Sequence, residues 1–289
     1  MSVRKAVVLA AGYGTRLLPA TKAHPKETLP LVDKPIIQYT VEEAAASGLE
    51  QVIIVTAASK RAVEDHFDRS LELEQALLAR GELARLEEIR RITDLADIVY
   101  VRQKEQRGIG DAVLTARSII GNEPFVLFFP DDVIVSDVPA ARQLIDVYEA
   151  QGGPVLAVEE VPREEVESYG IVDGEAIGEG LYRVRALVEK PKPSEAPSNL
   201  AIVGRYVLTP EIFDALLETK PGKGGEIQIT DALALLLRRQ PMFAYQFQGR
   251  RFDTGRPLGL LKASIELALL RPDIAPDLRR YLRGLDLSD

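Results

Sequence analysis

The chain contains no cysteine, so it has neither a disulfide framework nor thiolate chemistry, which fits a reducing, cytoplasmic setting. Only two histidines are present, His24 and His66, far apart and with no cysteine between them. That argues against a zinc site and places both on loops or at the surface. An excess of positive charge is also missing. The net charge is −8, whereas a duplex-binding surface draws most of its affinity from cations on phosphates, so nucleic acid is not an expected partner. The opening apolar run breaks at Gly12, too short for a membrane span or a secretion signal, so no membrane association is expected. What the chain does have is bulk. With 46% apolar residues among 289, it can bury a large core, as one big domain or a domain with an appendage.

Two common phosphate-binding patterns are absent as well. The stretch Val7-Val8-Leu9-Ala10-Ala11-Gly12-Tyr13-Gly14-Thr15-Arg16 reads as a buried parallel strand entering a tight loop whose backbone N–H groups can face an anion. A dinucleotide fingerprint needs a third glycine where Leu17 stands, and a P-loop needs Gly-Lys-Ser/Thr. Neither is met. Pro19, Pro25, Pro30 and Pro35 each remove a donor and restrict the residue before them, so a stiff, extended loop carrying Arg16, Lys22, Lys26 and Lys34 is expected instead.

Further along, Pro35, an amphipathic run from Ile36 to Ala46, and Gly48 mark a helix. Gln51 to Thr56 reads as a second buried strand, completing a βαβ unit with right-handed crossover. Ser59 is placed to cap a following helix, and Ser70 to Arg91 reads as a solvated helix interrupted near Gly81. Asp97 to Arg102 is a third strand, ending in Gln103 and a loop with Gly108 and Gly110 ahead of a helix from Asp111 to Ser118. Ligands in open α/β sheets bind beyond the carboxyl ends of strands, which puts Gln103 and Gly108 beside Gly12 and Gly14. A glutamine there offers both a donor and an acceptor to a base edge, although a loop glutamine is commonly just surface.

Pro124 to Phe129 is the most apolar strand, and it stops at Pro130-Asp131-Asp132. Paired carboxylates at a strand end beside a phosphate loop are what a hard divalent cation such as Mg²⁺ needs, the plainer alternative being an Asp-rich turn that caps the next helix. From Gly152 the alternation gives way to strands at Pro154–Val161, Tyr169–Val172, Leu181–Glu189 and Leu200–Leu208, with mixed pairing expected. Glu189 can bridge sugar hydroxyls and Lys190 can supply a compact charge for a phosphate, but a Glu-Lys pair at a strand end is also ordinary surface. Gly222 to Asp231 reads as a flexible turn whose Thr230 and Asp231 start a helix along Leu233, Leu236 and Leu237. Phe243 to Gln248 is a last strand before Asp253-Thr254-Gly255, and the tail carries Leu278, Tyr281, Leu282 and Leu285 on an amphipathic helix.

The run Leu9 to Leu17, followed by Pro19-Ala20-Thr21-Lys22-Ala23, Pro25-Lys26-Glu27 and Leu29-Pro30, resembles the signature of sugar-nucleotide pyrophosphorylases, and among them the bacterial UTP–glucose-1-phosphate uridylyltransferases. The resemblance extends from Val7 to about Leu270. It implies an α/β, Rossmann-like fold: a mixed, mainly parallel sheet flanked by helices. It further implies a nucleotidyltransferase domain over 1–270, with a nucleotide half (1–150) and a sugar half (151–255), followed by C-terminal helices over 256–289. UTP and α-D-glucose 1-phosphate would give UDP-glucose and pyrophosphate with Mg²⁺ in a cytoplasmic homo-oligomer. Ala10, Ala11, Gly12, Gly14, Thr15, Gln103, Gly108 and Asp132 would hold the nucleotide. Gly170, Glu189 and Asn199 would hold the sugar. Arg16, Lys26 and Lys190 would handle phosphates, and Asp131 and Asp253 the metal, with Asp132 behind it or on the ribose. Asp253-Thr254-Gly255 is closer to some thymidylyltransferases, which leaves dTTP in play. A non-catalytic sensor on the same fold would need neither the carboxylates nor the cationic loop.

Overall fold

The computed structural model describes residues 2–222 and 225–286. Lys223 and Gly224, in the turn expected ahead of Asp231, lie outside the described residues, as do 287–289 of the expected C-terminal segment. Strand β1 (Lys5–Leu9) is buried over its middle three residues. The proline-framed segment that follows is not extended. It winds into three short 3₁₀ turns, Thr15–Leu17, Ala20–Lys22 and Lys26–Thr28, before a two-strand clip of β2 (Pro30–Leu31) and β3 (Lys34–Pro35). Pro19 and Pro25 sit immediately before two of those turns, where a fixed φ and a missing N–H cost nothing.

Helix α1 (Ile36–Ala46) starts after Pro35 and ends ahead of Gly48, whose φ of 82° suits a residue without Cβ. After β4 (Gln51–Thr56), Lys60 rather than Ser59 takes the position before α2 (Arg61–Phe67), and no side chain caps that helix. His66 lies on α2, half-buried, with Nε2 3.0 Å from Gln38 Oε1, while His24 is exposed on a loop. The charged helical stretch breaks at Gly81 (φ 72°) into α3 (Leu71–Ala79) and α4 (Leu83–Thr93). Strand β5 (Asp97–Arg102) is followed by α5 (Ile109–Thr115) and the short α6 (Arg117–Ile120), two pieces where one helix was expected.

Next come β6 (Phe125–Phe128), β7 (Asp132–Val135), α7 (Ala140–Gln151) and β8 (Val155–Glu160). The element expected at Tyr169–Val172 is a full nine-residue strand, β9 (Gly170–Gly178), paired with β10 (Leu181–Glu189). Strand β11 (Leu200–Leu208) is buried at every residue. Helices α8 (Ile212–Glu218) and α9 (Ile229–Leu237), strands β12 (Phe243–Gln246) and β13 (Arg250–Asp253), and helices α10 (Pro257–Leu270) and α11 (Ala275–Arg283) complete the chain.

One sheet in the order β5-β4-β1-β6-β11-β8-β12-β10-β9 organises the molecule, and β13 pairs with β7 beside it. The sheet is mixed. Its parallel pairings are β5-β4, β4-β1, β1-β6 and β8-β12, and antiparallel neighbours are as numerous. Strand β11 enters antiparallel between β6 and β8, so strands from both expected halves share one continuous backbone network. Side chains alternate between two cores. Val7, Ile53, Phe125 and Leu127 pack with α5, α8 and α9 on one face, and Ala6, Val8, Ile54 and Phe128 pack with α1 and α7 on the other. Each such valine, isoleucine, leucine or phenylalanine contributes about 1.5–3 kcal/mol by leaving water. No helix among the described residues is long and apolar enough to cross a membrane.

Candidate active site

A cavity of about 820 Å³ opens at the carboxyl ends of β1, β5, β6 and β10, the position that parallel-strand topology favours for ligands. Its floor on one side is the turn after β1. Gly14 has φ 68°, and a Cβ there would come within 3.2 Å of Lys26 Cβ and Thr21 Cγ2. Thr21 Oγ1 donates to the Gly14 carbonyl at 2.8 Å. The 3₁₀ turns therefore fold back on Gly14 and deliver two cations inward. Lys26 Nζ lies 2.6 Å from Asp131 Oδ2, and the Arg16 guanidinium lies 3.5 Å from the same oxygen. The Lys26 and Asp131 side chains are only 16% and 20% exposed. Burial alone would discharge both, but their mutual attraction outweighs it, holding Asp131 below and Lys26 above their ordinary pKa values. Ala11, Gly12 and Thr15 line the cavity with them. Ala10 does not, being fully buried with its N–H donated to the Val55 carbonyl at 2.8 Å.

Beneath Lys26 is a pair that sequence reasoning passed over. Glu27 is 1% exposed and Lys60 5% exposed, and Lys60 Nζ donates to Glu27 Oε2 at 2.7 Å. Burial pushes the Glu27 carboxyl up and the Lys60 ammonium down, against the pull of each on the other. Glu27 stood within the recognised motif, but its partner is 33 residues away, and no local pattern joins them.

Three carboxylates meet opposite the cationic turn, in two different situations. Asp131 Oδ2 and Asp253 Oδ1 lie 2.9 and 3.0 Å from the point a Cβ on Gly255 would occupy. Thr254, fully buried, donates both its N–H and its hydroxyl to the Asp131 carbonyl at 2.8 Å, and Gly255 N–H donates to Asp253 Oδ1 at 2.9 Å. The Asp253-Thr254-Gly255 turn is thereby pinned to the end of β6. Asp132 is committed elsewhere, with Oδ2 accepting from Gly204 N–H at 2.9 Å and Oδ1 from Arg251 at 2.6 Å. Burial nevertheless raises its pKa, the neighbouring Asp131 charge adding to the effect against Arg251.

Another side of the cavity is formed by Gln103 and Gly108. Gln103 Nε2 donates to Asp111 Oδ2 at 2.8 Å and to the Gly108 carbonyl at 3.3 Å. Gln106, not singled out from sequence, donates to the Ala11 carbonyl at 2.6 Å and fastens this loop to the turn after β1. Gly108 has φ 103°, and a Cβ there would fall 2.9 Å from the backbone of Ile227. Ile227 in turn bonds through its backbone to Arg107 and Gly110, so the segment before α9 clasps the loop. Thr230, read from sequence as serving the helix start, is in the first turn of α9 and also lines the cavity.

On the other side, Gly170 pairs with Glu189 across β9 and β10. A Cβ on Gly170 would come within 3.0 Å of Thr230 Oγ1 and 3.4 Å of Glu189 Oε2. Lys190 sits at φ 46°, uncommon for a residue with a side chain. Its N–H is held by the Tyr169 carbonyl at 3.0 Å, and its Nζ lies 3.2 Å from Glu189 Oε1. Asn199 is not among the cavity-lining residues; its carbonyl accepts from Val161 N–H at 3.1 Å. Arg251, also missed from sequence, bridges the sides by donating to Asp132, Glu159 and the Tyr169 hydroxyl.

Residues 5–268 match the nucleotidyl transferase family. The chain belongs to that family. A UTP–glucose-1-phosphate uridylyltransferase of Staphylococcus epidermidis is 53% identical over 285 residues, 99% of each chain. A UDP-glucose pyrophosphorylase solved with UDP-glucose superposes with a TM-score of 0.85 at 47% identity, covering 93% of this chain and all of that one. A UTP-bound enzyme of the same kind from Acinetobacter baumannii gives a TM-score of 0.92 at 38% identity, covering 98% and 100%.

For a nucleotidyl transferase, the donor set fits Mg²⁺, which characteristically takes one or two carboxylates and completes its shell with water and substrate phosphates. Asp131 and Asp253, whose oxygens converge beside Gly255, would be that pair. Among the described residues no group of three or more His, Cys, Asp or Glu forms a closed cage, so a metal held here would keep positions for phosphate oxygens.

Proposed function

We infer that the chain joins UTP and α-D-glucose 1-phosphate into UDP-glucose, releasing pyrophosphate. The observation that carries this is the convergence of three chemistries on one cavity. A base-facing amide at Gln103, a cationic turn set on carboxylates at Arg16, Lys26, Asp131 and Asp253, and a carboxylate–ammonium pair at Glu189 and Lys190 share its lining. The incoming phosphate monoester is largely dianionic at pH 7, its second pKa being about 6, so the nucleophile needs no general base. The site has to hold two anions in line and neutralise charge as it develops on the leaving pyrophosphate. Backbone N–H groups of Ala11, Gly12, Gly14 and Thr15 receive the triphosphate, with Arg16 and Lys26 on its leaving end. Gly170 and Glu189 hold glucose, and Lys190 steers its 1-phosphate toward the α-phosphorus. Asp131 and Asp253 would hold Mg²⁺, which when bound would supply positive charge to the substrate phosphates.

Ala10 is buried behind the turn after β1, and Asp132 holds Arg251 at 2.6 Å beside the Asp131 turn. Absence of cysteine fits a cytoplasmic enzyme. Exposed Leu258, Leu261 and Ile265 along α10 support association with further copies. The test is pyrophosphate release with each of four nucleoside triphosphates, glucose 1-phosphate and Mg²⁺. UTP is expected to lead; a dTTP lead would make the chain a thymidylyltransferase, and no release from any of them would overturn the catalytic reading.

A further inference from the structure

We propose that Asp111 is a positioning residue for nucleotide choice: it locks the Gln103 amide in one orientation, leaving only the amide oxygen to meet the base. The inference rests on the reading of Gln103 as a base contact. Gln103 follows β5 with its N–H on the Thr56 carbonyl at 2.9 Å, and it is 7% exposed. A glutamine amide has a donor end and an acceptor end that can exchange by a half-turn. Here the exchange is closed off, because the end facing α5 lies 2.8 Å from Asp111 Oδ2 and 3.3 Å from the Gly108 carbonyl. An ionised carboxylate and a carbonyl only accept, so that end is the nitrogen. The remaining polar atom, Oε1, accepts no hydrogen bond from the described residues. It is also not among the atoms sealed from solvent, and the residue lines the cavity.

An acceptor fixed in that position matches the N3–H donor of uracil or thymine. Cytosine presents an acceptor at N3, so two lone pairs would face each other. Leaving a buried polar group unpaired costs about ten- to a hundredfold in affinity. Selection against cytosine thus resides in Asp111 as much as in Gln103. Asp111 does this from the first turn of α5, where an acidic residue is independently favourable, so electrostatic placement on the helix alone would give no base preference.

The test is the ratio of kcat/KM for UTP over CTP. Asp111→Asn keeps the shape and offers the Gln103 amide either a donor or an acceptor, so the shorter of its two restraints is lost and the longer one, to the Gly108 carbonyl at 3.3 Å, remains. The ratio is expected to fall about tenfold or more, mainly through KM for the nucleotide, with KM for glucose 1-phosphate unchanged. Asp111→Ser serves the same purpose should the first variant fold poorly, as judged by its melting curve. In a Gln103→Ala background, Asp111→Asn should have no further effect on the ratio, since coupled residues are non-additive. A folded Asp111 variant with the parental ratio would overturn the proposal while leaving the Gln103 contact standing. A parental ratio in Gln103→Ala itself would instead refute the base contact on which the proposal rests.

Discussion

Replacing Glu27 by alanine should destabilise the enzyme by about 3–4.6 kcal/mol at pH 7. Glu27 and Lys60 are 1% and 5% exposed, so water does not screen their 2.7 Å contact. Removing one partner of such a pair leaves an uncompensated buried charge, at a cost of about 3–5 kcal/mol. The upper limit is set by an escape route. Lys60, whose pKa burial already lowers, can enter the folded protein unprotonated, which costs about 4.6 kcal/mol at pH 7 from an ordinary lysine pKa of about 10.4. At this chain length that corresponds to a fall in melting temperature of roughly 6–9 °C, using about 2 °C per kcal/mol. The sign with pH follows. In the variant the folded pKa of Lys60 is depressed below the unfolded one, so folding releases a proton and the deficit shrinks as pH rises from 7 toward 10. Glu27→Met with Lys60→Met, which removes both charges, should recover most of the loss. Urea and thermal melts of the single and double variants at pH 7 and 9.5 measure all of this. A single variant within 1 kcal/mol of the parent, or a double variant no better than the single, would refute the reasoning.

Lys26→Ala and Asp131→Ala should each lower turnover by about a hundredfold or more with the fold intact by circular dichroism; near-normal turnover in either would remove that residue from the mechanism. Glu189→Ala should raise KM for glucose 1-phosphate and leave KM for UTP alone, and steady-state kinetics in both substrates check this. Glu74 binds Arg69 and Arg90 at 2.7–2.9 Å, which holds its pKa at about 2. Its contribution to stability is therefore present above pH 4.5 and lost as pH falls toward 2. Glu74→Gln should melt lower than the parent at pH 5–7, with the two curves converging toward pH 2–3.

Where the chain runs apolar between glycines or prolines, the sequence locates its elements well. Ile36–Ala46, Gln51–Thr56, Asp97–Arg102, Leu181–Glu189 and Leu200–Leu208 have the expected bounds. The opening loop was harder, because prolines that exclude an α-helix interior are tolerated at the start of 3₁₀ turns. Strand β9 was under-read: beyond Val172 it is glycine-rich and acidic, and only its pairing with β10 specifies it. The site divides in the same way. Residues carried by local motifs, from Gly12 to Arg16 and at Lys26, Asp131, Glu189 and Asp253, line one cavity. Lys60, Gln106, Thr230 and Arg251 act across distances that only the fold closes.

Position alone does not separate Asp131 from Asp132; the identity of their neighbours does. Both follow β6, Asp132 as the first residue of β7, and both are largely buried, yet Asp131 faces two side-chain cations, Arg16 and Lys26, whereas Asp132 faces a backbone N–H and a guanidinium held by three partners. The second arrangement is rigid at both ends. Arg205, 1% exposed, strengthens it by donating to the Asp132 and Phe129 carbonyls while its own charge is met by Glu43. Because Glu43 also accepts from the start of α7, α1, α7, β11 and the aspartate loop share one buried charge network. A carboxylate fixed this firmly cannot exchange partners with an incoming nucleotide at low cost. One whose partners are the side-chain ends of Lys26 and Arg16 exchanges them at lower cost, and on that ground we propose Asp131, rather than Asp132, as the carboxylate for a metal and its phosphates.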